Sequence, residues 1–243
     1  MLSPCSTKVE EVGIGVQVAR HRGSERVTAR GPIVTVDGPA GSGKSTLSRA
    51  LALELGLPYV NTGLMYRALA AVALAHALDP DDEVALERAA GTLRFVLSDG
   101  VPAELLIDGA PPGPVLTSDA VEGVVSRVAR HPRVREVLRA RQRALGLGGS
   151  VIEGRDIGTV VFPDADVKIF LSARPEVRAR RRARERGAND DAAPAVAARD
   201  ALDAKTNPLE PAPDAAVLDT TGLDAPAVLA EALRLVRRAL EGR

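Results

Sequence analysis

The chain is short of several residue types, and each shortage removes a class of protein. Among its 243 residues there is one cysteine, Cys5, so no disulfide can close within the chain and no cysteine-based zinc site can form. His21, His76 and His131 are too scattered to read as a metal cluster. Tryptophan is absent, and the aromatic side chains are Tyr59, Tyr66, Phe95, Phe162 and Phe170. An excess of one charge is also missing: 32 basic residues stand against 32 acidic ones, which leaves no net field for nonspecific nucleic-acid binding. No apolar run approaches the roughly 20 residues of a membrane-spanning helix.

What is present is globular in character, 45% hydrophobic and 26% charged, at a length that suits one domain or one domain carrying a sizeable insertion. Basic charge comes as 28 arginines and only four lysines, which together with abundant Ala, Gly and Pro reads as GC-rich coding rather than as function. Residues 1–30 mix Pro, Ser, Gly and charges, and are expected to form a flexible N-terminal extension.

From Gly31 onward, short β-rich runs alternate with helical periodicity. Strands are expected at Ile33–Asp37, Tyr59–Val60, Ser150–Glu153, Val167–Leu171 and Ala216–Leu218. Helices are expected from Lys44 to Gly56, from Leu64 to Leu78, over Val84–Leu93, about 118–130, 133–145, Pro175–Arg186 and 225–241. This alternation predicts an α/β fold with a parallel sheet covered by helices on both faces. The pair Arg94–Leu97 and Glu104–Asp108, joined through Asp99-Gly100, reads as a hairpin that interrupts the alternation, so it belongs to an inserted subdomain.

Gly38-Pro39-Ala40-Gly41-Ser42-Gly43-Lys44-Ser45 matches the P-loop pattern in full, between a predicted strand and a predicted helix. Its glycines let backbone N–H groups converge on phosphate oxygens, and the helix start adds its positive dipole end. Lys44 can reach the β and γ phosphates, and Ser45 can ligate Mg²⁺, with Thr46 completing the segment. The motif specifies a nucleoside triphosphate and leaves the phosphate acceptor open.

Two further segments follow predicted strands, at the sheet edge where α/β folds bind ligands. In Asn61-Thr-Gly-Leu-Met-Tyr66-Arg67, Thr62 and Tyr66 share a helical face, and Arg67 offers a planar fork for phosphate; an ordinary helix start with an exposed arginine fits as well. In Gly154-Arg155-Asp156-Ile-Gly-Thr159, the Arg–Asp pair suits an anion beside a polar base or sugar, or a structural turn.

Together, Val36 to Thr46, Asn61 to Arg67, Pro132-Arg-Val-Arg135, Glu153 to Asp164 and Asp219-Thr-Thr221 closely resemble the bacterial cytidylate kinase family, over about residues 31–240. The resemblance implies a P-loop nucleoside monophosphate kinase fold, with a monophosphate-binding α+β insert over about 62–150 and a lid over about 174–198. It implies transfer of the γ-phosphoryl group of ATP, with Mg²⁺, onto CMP or dCMP, by a monomeric cytoplasmic enzyme with no nucleic-acid or membrane partner.

By the same resemblance, Arg67 and Arg155 hold the acceptor phosphate, Thr62 and Tyr66 line its pocket, and Ser126, Arg135 and Asp156 read cytosine. Arg199 and Asp203 serve the sugar side. Lid arginines Arg178, Arg181 and Arg182 are the family matches, with Arg181 and Arg182 expected to join Lys44 and Arg155 around the transferring phosphoryl group. Charge spread over phosphoryl oxygens is stabilised by such cations without a general base, and none is assigned. A basic stretch from Arg127 through Arg130, Arg133, Arg139, Arg141 and Arg143 lacks interleaved aromatics and is not read as an RNA site.

The chain departs from the family pattern at Asn61, where Asp is usual, and in a short lid region between Arg186 and Arg199. Thr206 stands where an arginine is usual, and Lys205 is the candidate replacement. Rival readings are a kinase of the same architecture for UMP or AMP, and a non-kinase ATP-binding switch protein. The trio Ser126, Arg135 and Asp156 argues against the first, and the second anion pocket at Arg67 and Arg155 against the other.

Overall fold

A computed structural model describes residues 30–185 and 209–241, with Pro194 and Ala201 between them. Five parallel strands form the main sheet: β1 (Ile33–Asp37), β2 (Tyr59–Asn61), β5 (Ser150–Gly154), β6 (Val167–Ser172) and β7 (Ala216–Asp219), in the order β2-β5-β1-β6-β7. β3 (Phe95–Leu97) and β4 (Leu105–Ile107) pair separately as an antiparallel hairpin, Phe95 opposite Ile107. The parallel sheet and the separate hairpin both follow the expectation from residue pattern. The expected N-terminal extension, most of the segment after Arg186, and Arg199, Asp203, Lys205 and Thr206 lie outside the described residues.

Every residue of β1 and β5 is buried, which is why their apolar residues face both sides of the sheet rather than one. On one face, Val34, Val36, Val151, Ile169 and Leu171 pack with Leu47 and Leu51 of α1 (Lys44–Leu55) and with Val228, Ala232 and Val236 of the final helix (Ala225–Glu241). On the other face, Ile33, Val60 and Ile152 meet Ile157, Val161 and Phe162 from a single π-type turn, Ile157–Val161, and its end. That turn is absent from the sequence reading, because one irregular turn carries no periodicity.

Between β2 and β5 lie α2 (Thr62–Ala75), α3 (Glu83–Thr92), the hairpin, a 3₁₀ turn (Pro114–Thr117), α4 (Asp119–Ala129) and α5 (Pro132–Gly146). They bury their own cluster, centred on Met65, Leu69, Leu86, Val125, Val128 and Leu138. Side chains of Asn61, Asp82 and Ser118 cap α2, α3 and α4, each accepting from a first-turn N–H. The basic stretch is engaged internally. Arg127 and Arg130 pair with Asp81, Arg133 with Glu87 and Arg139 with Asp156. Arg141 donates to carbonyls of Ala90 and Gly91 and lies over the Phe95 ring, and Arg143 donates to Val160 O.

Leu138 is fully buried on α5, the helix that also carries Arg135. Leu138→Ala is expected to cost about 2–5 kcal/mol of folding stability, because the cavity it leaves cannot fully collapse. Urea unfolding of both proteins measures the difference directly.

Candidate active site

The loops after β1, β2 and β5 open side by side, since β5 runs between β1 and β2. They form one wall of a cleft of about 300 Å³, closed on the other side by α4, α5 and the end of α6 (Pro175–Glu185).

The loop after β1 is forced by sterics. Gly38 has φ +146°, and a Cβ there would sit 2.3 Å from Leu171 O; Gly41 has φ +73°, and a Cβ there would sit 2.6 Å from Arg178 O. Only glycine lets the backbone lie this close to β6 and α6. At Gly43 (φ +95°) the chain turns into α1, whose first N–H groups receive no side-chain cap. Uncapped N–H groups and the helix dipole together favour an anion. Lys44 Nζ donates to Pro39 O at 2.8 Å and lines the cleft with Ala40, Gly41, Gly43, Ser45 and Thr46. Gly38, Pro39 and Ser42 shape the loop without lining the cleft.

Glu153, at the end of β5, is a centre that motif reading alone passes over. It is 2% exposed, accepts from the Tyr59 hydroxyl, and accepts from Ser45 Oγ at 3.1 Å. Thr62 Oγ1 donates to Glu153 O at 2.7 Å, which ties the start of α2 to β5. Burial pushes the Glu153 carboxyl upward, opposed chiefly by Lys44, and burial together with Glu153 pushes the Tyr59 phenol upward. The signal was in the sequence: Ser150-Val-Ile-Glu153 ends a fully buried strand in a carboxylate, and a buried charge needs partners.

Asn61 explains its own departure from the family pattern. Its Oδ1 caps α2 by accepting from Leu64 N at 3.2 Å, while its Nδ2 donates to the Tyr59 oxygen at 3.2 Å. An aspartate could form the cap but has no N–H for Tyr59. The amide therefore completes a relay in which Asn61 donates to Tyr59 and Tyr59 donates to Glu153.

Asp156 Oδ2 accepts from Arg135 at 2.8 Å and from Arg139 at 2.9 Å. Ser126, Tyr66 and Gln142 line the same cleft. Burial raises the Tyr66 phenol above its ordinary range. Arg155 lines the cleft and donates to Gly38 O, in the phosphate loop, at 3.0 Å. Arg67 donates to Leu116 O at 2.9 Å and to Glu122 Oε2. Glu122 is a second residue missed from sequence; its Oε1 accepts from Arg182 at 2.9 Å.

The arginines of α6 divide between the cleft and the phosphate loop. Arg182 lines the cleft. Arg178, 7% exposed, donates to Ala40 O at 3.1 Å and to Ala173 O at 3.1 Å. Arg181 donates to Ser42 O at 3.3 Å, Thr220 Oγ1 at 2.8 Å and Thr220 O at 2.7 Å. These two lie outside the cleft's lining and fasten the phosphate-loop carbonyls to α6 and to the end of β7. Arg178 and Arg182 are four apart and share a face of the helix, so position along the helix separates them: Arg178 meets the phosphate loop at Ala40 O, and Arg182, one turn further on, reaches the cleft.

A family model described as cytidylate kinase matches residues 34–238. The chain is 45% identical over 216 residues to the bifunctional pantoate ligase/cytidylate kinase of Synechococcus sp. (strain WH7803), covering 84% of this chain and 44% of that protein. It is 42% identical over 225 residues to the cytidylate kinase of Klebsiella pneumoniae (strain 342), covering 88% of this chain and 99% of that one. Among solved structures, TT1252 from Thermus thermophilus aligns with a TM-score of 0.46 at 22% identity, over 87% of this chain and 99% of that chain. The chain spans about half the length of the bifunctional relatives it matches.

Asp37 ends β1 beneath the phosphate loop and accepts from Ile157 N at 2.9 Å and Gly158 N at 2.7 Å. Burial outweighs those two bonds and pushes its carboxyl up to about 6, from 3.8. A raised carboxyl binds its proton more tightly in the folded protein, so its contribution is fully present below about pH 4 and is lost as pH rises through about 6. Relative to Asp37→Asn, which does not titrate, the native protein is expected to lose about 3 kcal/mol of stability between pH 4 and pH 7. Urea midpoints of both proteins across that range check the sign and the size.

Proposed function

Because the chain belongs to the cytidylate kinase family, we propose that it transfers the γ-phosphoryl group of ATP to CMP or dCMP, giving ADP and CDP or dCDP. The single observation that carries this reading is the shared cleft: the phosphate loop, the Asp156–Arg135 pair, Ser126, and Arg67, Arg155 and Arg182 all line it.

ATP lays its phosphates on the uncapped start of α1, with Lys44 at the β and γ phosphates. Acceptor phosphate binds Arg67 and Arg155, with Thr62 and Tyr66 against the nucleotide. Cytosine presents an amino group beside acceptors at N3 and O2. Asp156 has up to four acceptor positions, so it can accept a hydrogen bond from the amino group while keeping both arginines, and Arg135 can donate to the base. Uracil puts a carbonyl where that amino group would be, and the unmet contact costs roughly 1–3 kcal/mol. A guanidinium plane can then stabilise charge on the transferring group as Lys44, Arg155 and Arg182 converge. Arg178 and Arg181 act one step removed, holding the loop. Arg199 and Asp203 keep their sugar-side roles as part of this proposal, and Lys205 its role as substitute cation.

Mg²⁺ takes hard oxygen ligands, and the Ser45 hydroxyl beside the Glu153 carboxylate is a donor set of that kind. Ser45 would hold the ion, with Glu153 fixing the hydroxyl's direction, and the ion would neutralise phosphate charge. No described helix is long and apolar enough to cross a membrane; the proposed setting is the cytoplasm, and the proposed working form a monomer.

ADP release from ATP and Mg²⁺, with CMP, dCMP, UMP, AMP and GMP offered separately, tests the assignment. CMP and dCMP are expected to dominate, and Asp156→Ala is expected to lower kcat/KM for CMP by at least tenfold, about 1.4 kcal/mol, while leaving the KM for ATP near its native value. Equal turnover of UMP or AMP would point to another acceptor. Hydrolysis of ATP with no acceptor dependence would point to a switch protein.

A further inference from the structure

Glu122 has no place in the reading above, yet it joins two residues that do. It sits on α4. One oxygen accepts from Arg67 on α2 and the other, at 2.9 Å, from Arg182 on α6. All three side chains are mostly buried, at 12%, 16% and 21% exposure for Arg67, Glu122 and Arg182. Both arginines line the cleft. One carboxylate thus spans guanidinium groups from the inserted helices and from α6.

A carboxylate and a phosphate compete for the same thing, the planar fork of an arginine. The donors that Glu122 now engages are the donors an acceptor phosphate would need. A phosphate monoester carries close to two charges and three acceptor oxygens, against one charge and two oxygens for Glu122. It can therefore displace the carboxylate, but only against that competition.

We propose that Glu122 is a positioning residue that stands in for substrate phosphate, holding Arg67 and Arg182 aimed across the cleft and yielding them when the acceptor phosphate arrives. This rests on the kinase reading, in which both arginines face phosphate. It has an uncommon consequence: removing the carboxylate tightens anion binding instead of weakening it. Two facing guanidinium groups then lack their shared counter-charge, and a phosphate supplies it. The same removal loosens the aim of Arg182, so turnover falls while affinity rises. Arg182 keeps its exposed partner Glu185, at 3.0 Å, in either case.

Calorimetric titration of CMP and of inorganic phosphate into the native protein, Glu122→Gln and Glu122→Asp decides it. Glu122→Gln keeps the shape and drops the charge. Its Kd for both probes is expected to fall roughly tenfold, within the usual range of coupling between sites, with a lower kcat. Glu122→Asp keeps the charge but is too short to span both arginines, so an intermediate Kd is expected. The gain should vanish when Arg182→Ala is combined with Glu122→Gln. Unchanged or weaker binding by Glu122→Gln, in a native protein that turns over CMP, overturns the inference alone. Absence of CMP turnover in the native protein overturns the kinase reading instead. Should Glu122→Gln not fold, the Asp variant decides: a Kd equal to or above the native value refutes the competition.

Discussion

Strand β5 pairs in parallel with β1 on one side and β2 on the other, and its register places Glu153 opposite Val36 and Asn61 at once. That pairing brings the loop after β5 beside two loops that lie roughly 90 and more than 100 residues earlier in the chain. With β5 in the middle, the phosphate loop and the start of α2 sit two strand spacings apart, about 10 Å, and the loop after β5 places Arg155 and Asp156 between them. The buried carboxylate of Glu153 then acts as the pin: Ser45 from α1, Tyr59 from β2 and Thr62 from α2 all bond to this one residue. Burying a charge so completely is costly unless each lone pair is met, so the arrangement tolerates few alternatives.

Charge pairing organises the rest of the cleft. Carboxylates meet arginines twice along the cleft, as Asp156 with Arg135 and Arg139, and Glu122 with Arg67 and Arg182. In the proposed reading, the arginines at Asp156 orient a group that meets the base, and the carboxylate at Glu122 holds groups that meet phosphate. The same chemistry serves opposite ends of a contact, and the distinction is visible only once the cleft's lining is known. Arg178 and Arg181 show a third use, satisfying loop carbonyls that the strained glycine backbone leaves without helix or sheet partners.

The fold was readable because its signals are local. Short β-rich runs, the glycine-rich turn at Gly38 and the hairpin turn at Asp99-Gly100 each carry their meaning within a few residues. The P-loop and the segments at Arg67 and Arg155 were readable for the same reason. What stayed hidden depends on partners distant in sequence. Among 28 arginines, composition cannot separate Arg182 from its neighbour Arg181, since a single residue's step around the helix, about 100°, decides which faces the cleft. Glu122 looks like any acid in the first turn of a capped helix, where the dipole alone would favour it. Asn61 looks like a loss until Tyr59 and Glu153 are seen beside it.

The most direct test of this account is a crystal structure with CMP and an unreactive ATP analogue bound together. The account predicts cytosine against Asp156 and Arg135, the acceptor phosphate on Arg67 and Arg155, triphosphate on the start of α1, and the Glu122 carboxylate withdrawn from Arg67. A structure in which the acceptor phosphate lies elsewhere, with Glu122 still bridging Arg67 and Arg182, would contradict it.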